Sequence, residues 1–132
     1  MEGWGWCGTA TAYGRIVAST IGQTGPATAL QALSTTSCNL RDKYDKLAKE
    51  WLSILRLTLD GSHLNRPKMK LIGTEFQQKI WLACVNIPLG QTRTYSWVAH
   101  SAGFAKRKYS RPAAAALSAN PLLVFVPCHR VI

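Results

Sequence analysis

The sequence is poor in acid. Asp and Glu number 6 against 16 Lys and Arg, for a formal net charge of +10. The acids also stop early. After Glu75 come Lys79, Arg93, Lys106, Arg107, Lys108, Arg111 and Arg130, with no Asp or Glu among them. A surface shaped only for solubility mixes both signs. A field of one sign attracts polyanions and makes their binding steeply salt-dependent, so a nucleic acid partner is expected. Long hydrophobic runs are missing too. No stretch approaches the ~20 apolar residues that span a bilayer, and Met1-Glu2-Gly3-Trp4 lacks the parts of a secretory signal. The expectation is an intracellular protein that does not enter the membrane. The 4 cysteines, Cys7, Cys38, Cys84 and Cys128, show no C-x-x-C spacing and read as free thiols. Cys7, Cys38 and His63 fit no tight zinc motif, so no metal is expected, and no cofactor. A hydrophobic fraction of 47% in 132 residues is that of a globular chain, one compact domain or two small ones sharing a core.

Tyr13 to Ser19 predicts a strand, with Gly14 at the turn before the β-branched pair Ile16-Val17. Pro26 is placed to open a short helix through Leu30 and Leu33. Trp4, Trp6 and Cys7 read as packing. Leu40, Tyr44, Leu47, Trp51 and Leu55 recur at three and four, one face of a helix that Asn39 caps and Asp60-Gly61 stops. Residues 61–72, with Pro67, read as a polar connector and a domain boundary. A helix then starts at Thr74, where Thr74 and Gln77 form a capping box ahead of Phe76, Ile80, Ala83, Cys84 and Ile87. Cys84 falls on that apolar face and reads as inert core. Pro88-Leu89-Gly90 ends the helix. Tyr95, Val98, Ala99 and Ala102 mark another, capped by Thr94 and stopped by Gly103. After the basic loop Lys106-Arg107-Lys108, Ser110 is the expected cap of a helix from Arg111 to Ala119, ended by Asn120-Pro121.

Helix, basic loop, helix is a helix-turn-helix pattern. Its last helix is built on Ala113, Ala114, Ala115, Ala116 and Ala119, which favour helix and leave almost no bulk. Such a helix either packs closely on a neighbour or enters a narrow groove, and pattern alone does not separate the two. The run Leu122 to Val126, bracketed by Pro121 and Pro127, predicts a short buried strand. It delivers Cys128 and His129 side by side. A thiol attacks as the thiolate, and a nearby base or cation favours that form, yet a cysteine beside a histidine is more often simply buried.

Several segments, taken together and in order, narrow this. They are Gly73-Thr74-Glu75-Phe76-Gln77-Gln78-Lys79-Ile80-Trp81, Ile87-Pro88-Leu89-Gly90-Gln91-Thr92-Arg93-Thr94-Tyr95, Asn120-Pro121 and Pro127-Cys128-His129-Arg130-Val131-Ile132. From Gly73 onward the chain resembles the O6-alkylguanine-DNA alkyltransferases, the methylated-DNA–protein-cysteine methyltransferases. Residues 1–72 fit only loosely, as that family's small N-terminal α/β domain. The resemblance implies an α/β (α+β) protein, with 1–72 as an N-terminal domain and 73–132 as a helical, winged-helix-like domain carrying the helix-turn-helix. It implies single-turnover transfer of an alkyl group from O6-alkylguanine in double-stranded DNA to Cys128, by a monomer acting in the nucleus of a eukaryote or the cytoplasm and nucleoid of a prokaryote. His129 would deprotonate Cys128, and Asn120 would sit in the hinge before the active-site strand. Arg111 would enter the base stack in place of the extruded guanine, and Tyr95 would press on the target phosphate. Ala113, Ala114 and Ala115 would lie along the minor groove, Arg93, Lys106, Arg107 and Lys108 would serve the DNA backbone, and Val131 and Pro127 would wall the pocket.

The chain departs from the family pattern in three ways. The segment between Tyr95 and Arg111 is about two residues longer than expected, with Phe104 to Tyr109 as the insertion. Pro112 follows Arg111, a position within a first helical turn that tolerates proline. Family members continue beyond the PCHRV motif with a Gly-rich segment and a helix that supplies a Glu to orient the histidine, so a chain ending at Ile132 is expected to have an incomplete pocket and lowered activity. Two other functions fit parts of the pattern. An alkyltransferase-like protein would bind the lesion without repairing it; retention of Cys128 argues against this and the missing tail argues for it. A sequence-reading regulator would need Arg, Asn, Gln or Glu along its recognition helix, where this one has alanine.

Duplex binding is therefore expected to depend weakly on sequence and strongly on salt. With about three to five phosphates neutralised, log affinity should fall against log salt with a slope of roughly −3 to −4.5. Fluorescence anisotropy across a salt series checks this, and a flat response would contradict it.

Overall fold

The computed structural model describes residues 6–12, 15–24, 27–28, 31, 53–54, 57 and 69–132. The chain divides into two compact units, Met1–Lys70 with Pro121–Val124, and Leu71–Asn120 with Phe125–Ile132. The fold is mixed α/β with a helical C-terminal part.

In the first unit β1 (Trp6–Ala12) pairs antiparallel with β2 (Arg15–Gln23). The strand expected from Tyr13 to Ser19 is present from Arg15 and runs on to Gln23. Ile16 to Thr20 are all buried, so both faces of β2 are covered. It pairs with β1 and also makes isolated parallel bridges of its own, Ile16 with Met69 and Ser19 with Leu122. Lys70 N–H donates to Ile16 O at 2.9 Å, Ser19 N–H to Pro121 O at 2.8 Å, and the Ser19 hydroxyl to Leu123 O at 2.6 Å. β1 was not expected; Thr9 and Thr11 at alternate positions were its only β-branched signal. Most of the helices expected through Leu30–Leu33 and across 39–59, the connector 61–72 up to residue 68, and Cys38 and His63 lie outside the described residues. Ala27, Thr28, Gln31, Ser53, Ile54 and Leu57 are helical.

The run Leu122 to Val126 is not the continuous strand its apolar character predicts. Leu122 makes one bridge, a turn covers Val124 and Phe125, and Val124 sits at φ 75°. Pro121 and Pro127 lack the N–H groups a ladder needs. A valine at positive φ is sterically unfavourable, and Val124 is the last residue of the first unit's second segment.

The second unit is built on α1 (Glu75–Val85), α2 (Tyr95–Ser101) and α3 (Ser110–Ser118). The capping box at α1 forms as its sequence dictates. Gln77 N–H donates to Thr74 Oγ1 at 3.2 Å, and Thr74 N–H to Gln77 Oε1 at 2.9 Å. Glu75 pairs with Lys79 one turn on, at 2.6 Å. Ile80, Ala83, Cys84 and Ile87 are buried as expected, and so is Trp81, while Phe76 is half-buried. Thr94 caps α2 by accepting from Trp97 N–H at 3.2 Å. Gly103 at φ 92° closes it, with Phe104 N–H bonded to Ala99 O at 2.8 Å, a C-terminal turn that requires the left-handed region.

The loop to α3 is anchored by aromatic rings. Phe104 lies 4.7 Å from Phe76 and 5.2 Å from Tyr109, centroid to centroid, within the range of favourable ring contacts. A 3₁₀ turn, Arg107–Tyr109, leads directly into α3. Helical backbone therefore begins before Ser110, which lies inside the first turn and is not the cap. Tyr109 holds the cap position without a side-chain bond, and the Ser110 hydroxyl shares a 2.8 Å hydrogen bond with Ser96 Oγ.

Thr74→Ala should remove the bond from Gln77 N–H to Thr74 Oγ1, leave the one from the Thr74 backbone N–H to Gln77 Oε1, and cost about 1 kcal/mol of stability. Denaturant unfolding followed by circular dichroism measures the loss, and an unchanged midpoint would show that the lost bond contributes nothing.

Candidate active site

Cys128 is placed by a short turn whose backbone bonds close on themselves. Cys128 N–H reaches Val126 O at 2.8 Å, Arg130 N–H reaches Pro127 O at 2.9 Å, and Val131 N–H reaches Cys128 O at 3.1 Å. Cys128–Arg130 is thus a single 3₁₀ turn, tighter than the end of a strand. It is held on two sides. Arg93 N–H donates to Arg130 O and Ile132 N–H to Arg93 O, both at 2.9 Å, making a bridge of Arg93 with Val131. On the other side Arg130 Nη1 donates to Ile87 O at 3.0 Å, just past the end of α1. Tyr95 N–H, at the start of α2, reaches Ile132 O at 3.3 Å. Tyr95, Val131 and Cys128 therefore share one hydrogen-bonded frame.

Asn120 enters this frame from the end of α3. It is buried, and its Nδ2 donates to Val126 O at 3.2 Å and to Cys128 Sγ at 3.7 Å. An N–H aimed at sulfur supports negative charge there. Cys128 is half-buried and Pro127 and Val131 are buried, whereas His129 is exposed. Desolvation of the part of the ring that faces the protein, then the Arg130 guanidinium, push the His129 imidazole below its ordinary value of 6.5. It is neutral at pH 7, the form that accepts a proton.

Cys84 differs in kind. Desolvation by burial, with a smaller contribution from Cys128, pushes its thiol up to about 12. The unfolded chain ionises this thiol near its ordinary 9.0, while the folded chain holds it neutral. Its contribution to stability is complete below that pH and is lost as pH rises toward about 12.

The residues expected to meet nucleic acid are spread along the α2–α3 region. Arg111 is exposed in the first turn of α3, with Pro112 beside it, and Lys106 and Lys108 are exposed on the loop before it. The Arg107 side chain lies outside the described residues. Ala115 is exposed and Ala114 half-buried, but Ala113 is fully buried. The helical repeat turns Ala113 onto the face shared with Ala116 and Leu117, so it packs in the core and does not join Ala114 and Ala115 on the outer side. Arg93 is half-buried and engaged within the chain. Its guanidinium donates to Gln91 Oε1 at 2.5 Å and Thr92 O at 2.9 Å, and lies 5.2 Å from the Trp97 ring centre. Arg130 was read only as basic charge; its side-chain bond to Ile87 makes it a brace of the turn, which its place inside the motif could have suggested. Among the described residues, no group of three or more His, Cys, Asp or Glu is arranged to hold a metal ion.

A family described as "6-O-methylguanine DNA methyltransferase, DNA binding domain" matches residues 75–132. Residues 75–132 are thus similar to that family's DNA-binding domain. The family domain contains the whole turn, Asn120 and the helix-turn-helix. A probable methylated-DNA–protein-cysteine methyltransferase of Acanthamoeba polyphaga mimivirus is 47% identical over 64 residues, which are 48% of this chain and 42% of that protein. The inducible methylated-DNA–protein-cysteine methyltransferase of Bacillus subtilis is 48% identical over 75 residues, 56% of this chain and 41% of that protein. The chain thus spans less than half the length of these relatives. The crystal structure of the Mycobacterium tuberculosis O6-methylguanine methyltransferase superposes with a TM-score of 0.70 at 25% identity, covering 94% of this chain and 70% of that one. The fold likeness therefore reaches well beyond the family domain.

Treated with iodoacetamide at pH 8 in the folded state, Cys128 should be labelled and Cys84 should not. Peptide mass mapping reads both sites, and equal labelling would contradict the environment assigned to Cys84. After unfolding, Cys84 should label freely.

Proposed function

We propose that the chain repairs O6-alkylguanine in double-stranded DNA by taking the alkyl group onto Cys128. The observation that carries this reading is the Asn120–Cys128 contact inside a stretch similar to the methyltransferase family's DNA-binding domain. The thiol proton passes to neutral His129, and sulfur attacks the alkyl carbon. The S–C bond forms as the C–O6 bond breaks, its electron pair stays on O6, and the guanine leaves after taking up a proton. The product is a thioether, which has no ready return step, so each molecule reacts once. The Asn120 N–H supports the charge on sulfur, and Pro127 and Val131 wall the pocket.

The reacting atom is buried in a duplex, so the base must leave the stack. Arg111, exposed at the start of α3, is suited to fill the space it leaves, which offsets part of the unstacking cost of a few kcal/mol. Tyr95 would press on the target phosphate. Ala114 and Ala115 present little bulk to the minor groove, and Lys106, Arg107 and Lys108 supply sequence-independent affinity. Ala113 falls out of the contact set because it is buried, while Arg93 keeps its place there, its guanidinium held by Gln91 and Thr92 in exposed bonds.

Incubation with duplex containing O6-methylguanine should add one methyl group, and no more than one, to the intact mass, located on Cys128. Cys128→Ser should abolish the gain, because a neutral alcohol is a far weaker nucleophile than a thiolate, and should leave duplex binding nearly unchanged. Methyl on Cys7, Cys38 or Cys84, or turnover beyond one equivalent, would overturn the assignment. Arg111→Ala should slow transfer from duplex while sparing transfer from the free alkylated base, which needs no flipping. Equal losses with both substrates would remove Arg111 from that role.

A further inference from the structure

The last turn of α3 is tighter than an α-helix. Ala119 N–H still reaches back four residues, to Ala115 O at 3.1 Å. Asn120 N–H reaches back only three, to Leu117 O at 3.1 Å. A regular continuation would have taken it to Ala116 O. The Ala116 carbonyl is thereby released by the backbone, on a residue that is 3% exposed, where an unmet acceptor is costly. Trp81 meets it. The indole Nε1–H of this fully buried side chain donates to Ala116 O at 2.8 Å. The turn so fixed ends in Asn120, whose side chain reaches Val126 O and Cys128 Sγ. The ring is also confined from behind. A Cβ on Gly73 would stand 2.7 Å from Trp81 Cη2 and 2.9 Å from Cζ3, closer than carbon atoms approach, so only glycine at this position leaves the ring where it is.

We infer that Trp81 is a positioning residue for Cys128. Its N–H holds the tightened end of α3, and that turn aims the Asn120 amide at the sulfur. This rests on the reading of Cys128 as the nucleophile but adds a residue that touches neither substrate nor sulfur. If Trp81 acts through Asn120, its effect on Cys128 disappears when the Asn120 side chain is gone. A tryptophan that only fills the core acts whether or not Asn120 is present.

The experiment is a double-mutant cycle on the reactivity of Cys128. Trp81→Phe keeps a ring and removes the N–H; Asn120→Ala removes the amide; the third protein carries both. The rate of Cys128 labelling by iodoacetamide is read by peptide mapping, with circular dichroism to check folding. Trp81→Phe should slow labelling roughly five-fold, on the scale of one neutral hydrogen bond. The double variant should match Asn120→Ala alone. Losses that multiply, or a wild-type rate for Trp81→Phe, would overturn the inference. If Trp81→Phe does not fold, Gly73→Ala takes its place. It retains the indole and crowds it, and should slow labelling in the wild-type background but not with Asn120→Ala; no change in the wild-type background would overturn the inference. Iodoacetamide needs no alkylguanine, so the cycle reads positioning even if the wild-type chain takes no methyl group from DNA, an outcome that would sink the proposed repair function alone.

Discussion

A buried carboxamide has to be satisfied, and much of the second unit follows from how Asn120 is. Its Nδ2 bonds reach Val126 O and Cys128 Sγ, so the end of α3 and the turn that carries the thiol are specified together. Left without partners in the core, such a group would cost about 1–3 kcal/mol. The turn cannot drift from the helix without meeting that cost. The brace from Arg130 to Ile87 and the bridge of Arg93 with Val131 hold the same turn from α1 and from the start of α2. Three helices of different sequence character thus converge on one 3₁₀ turn, and the thiol is placed by backbone and amide bonds more than by packing.

The charge arrangement is a separate design. The only carboxylate after residue 72 is Glu75, and Lys79 occupies it. Arg93 and Arg130 are tied down internally, while Lys106, Lys108 and Arg111 face solvent. Basic residues of one sequence class therefore divide into structural and free groups, a division that net charge conceals. The two thiols divide likewise. Cys84 on α1 is shut away from water, whereas Cys128 sits on a turn where an amide donor reaches its sulfur.

Two helix starts and one helix end of the second unit were legible because capping is local. Thr74 with Gln77, Thr94 and Gly103 each carry their instruction within a few residues, and each bond forms as written. What depends on distant partners was not legible. The apolar run Leu122–Val126 looked like a strand, but a strand requires a ladder, and two prolines and the left-handed Val124 prevent one. Ser110 has the composition of a cap; only the preceding 3₁₀ turn decides that helix begins before it. Trp81 stood in plain sight inside a matched segment, yet its value lies in a carbonyl 35 positions away. Ala113 shows the same limit. Five alanines look alike in sequence, and only the angular repeat of α3 against its neighbours sorts the buried from the exposed. Cys128, His129 and Asn120 were singled out through the family resemblance, while the bonds that hold Cys128 and Asn120 together were not legible.

The ring cluster under the α2–α3 loop has a thermodynamic consequence. Phe76, Phe104 and Tyr109 lock both ends of that loop to the first turn of α1, and Lys108 Nζ lies 5.3 Å from the Tyr109 ring centre. A flexible basic loop loses conformational entropy when it settles on a polyanion. Here that loss has already been incurred during folding, at the expense of apolar contacts that a polyanion never touches. The loop is preorganised, and lengthening it by residues that add rings as well as lysines raises charge without adding slack.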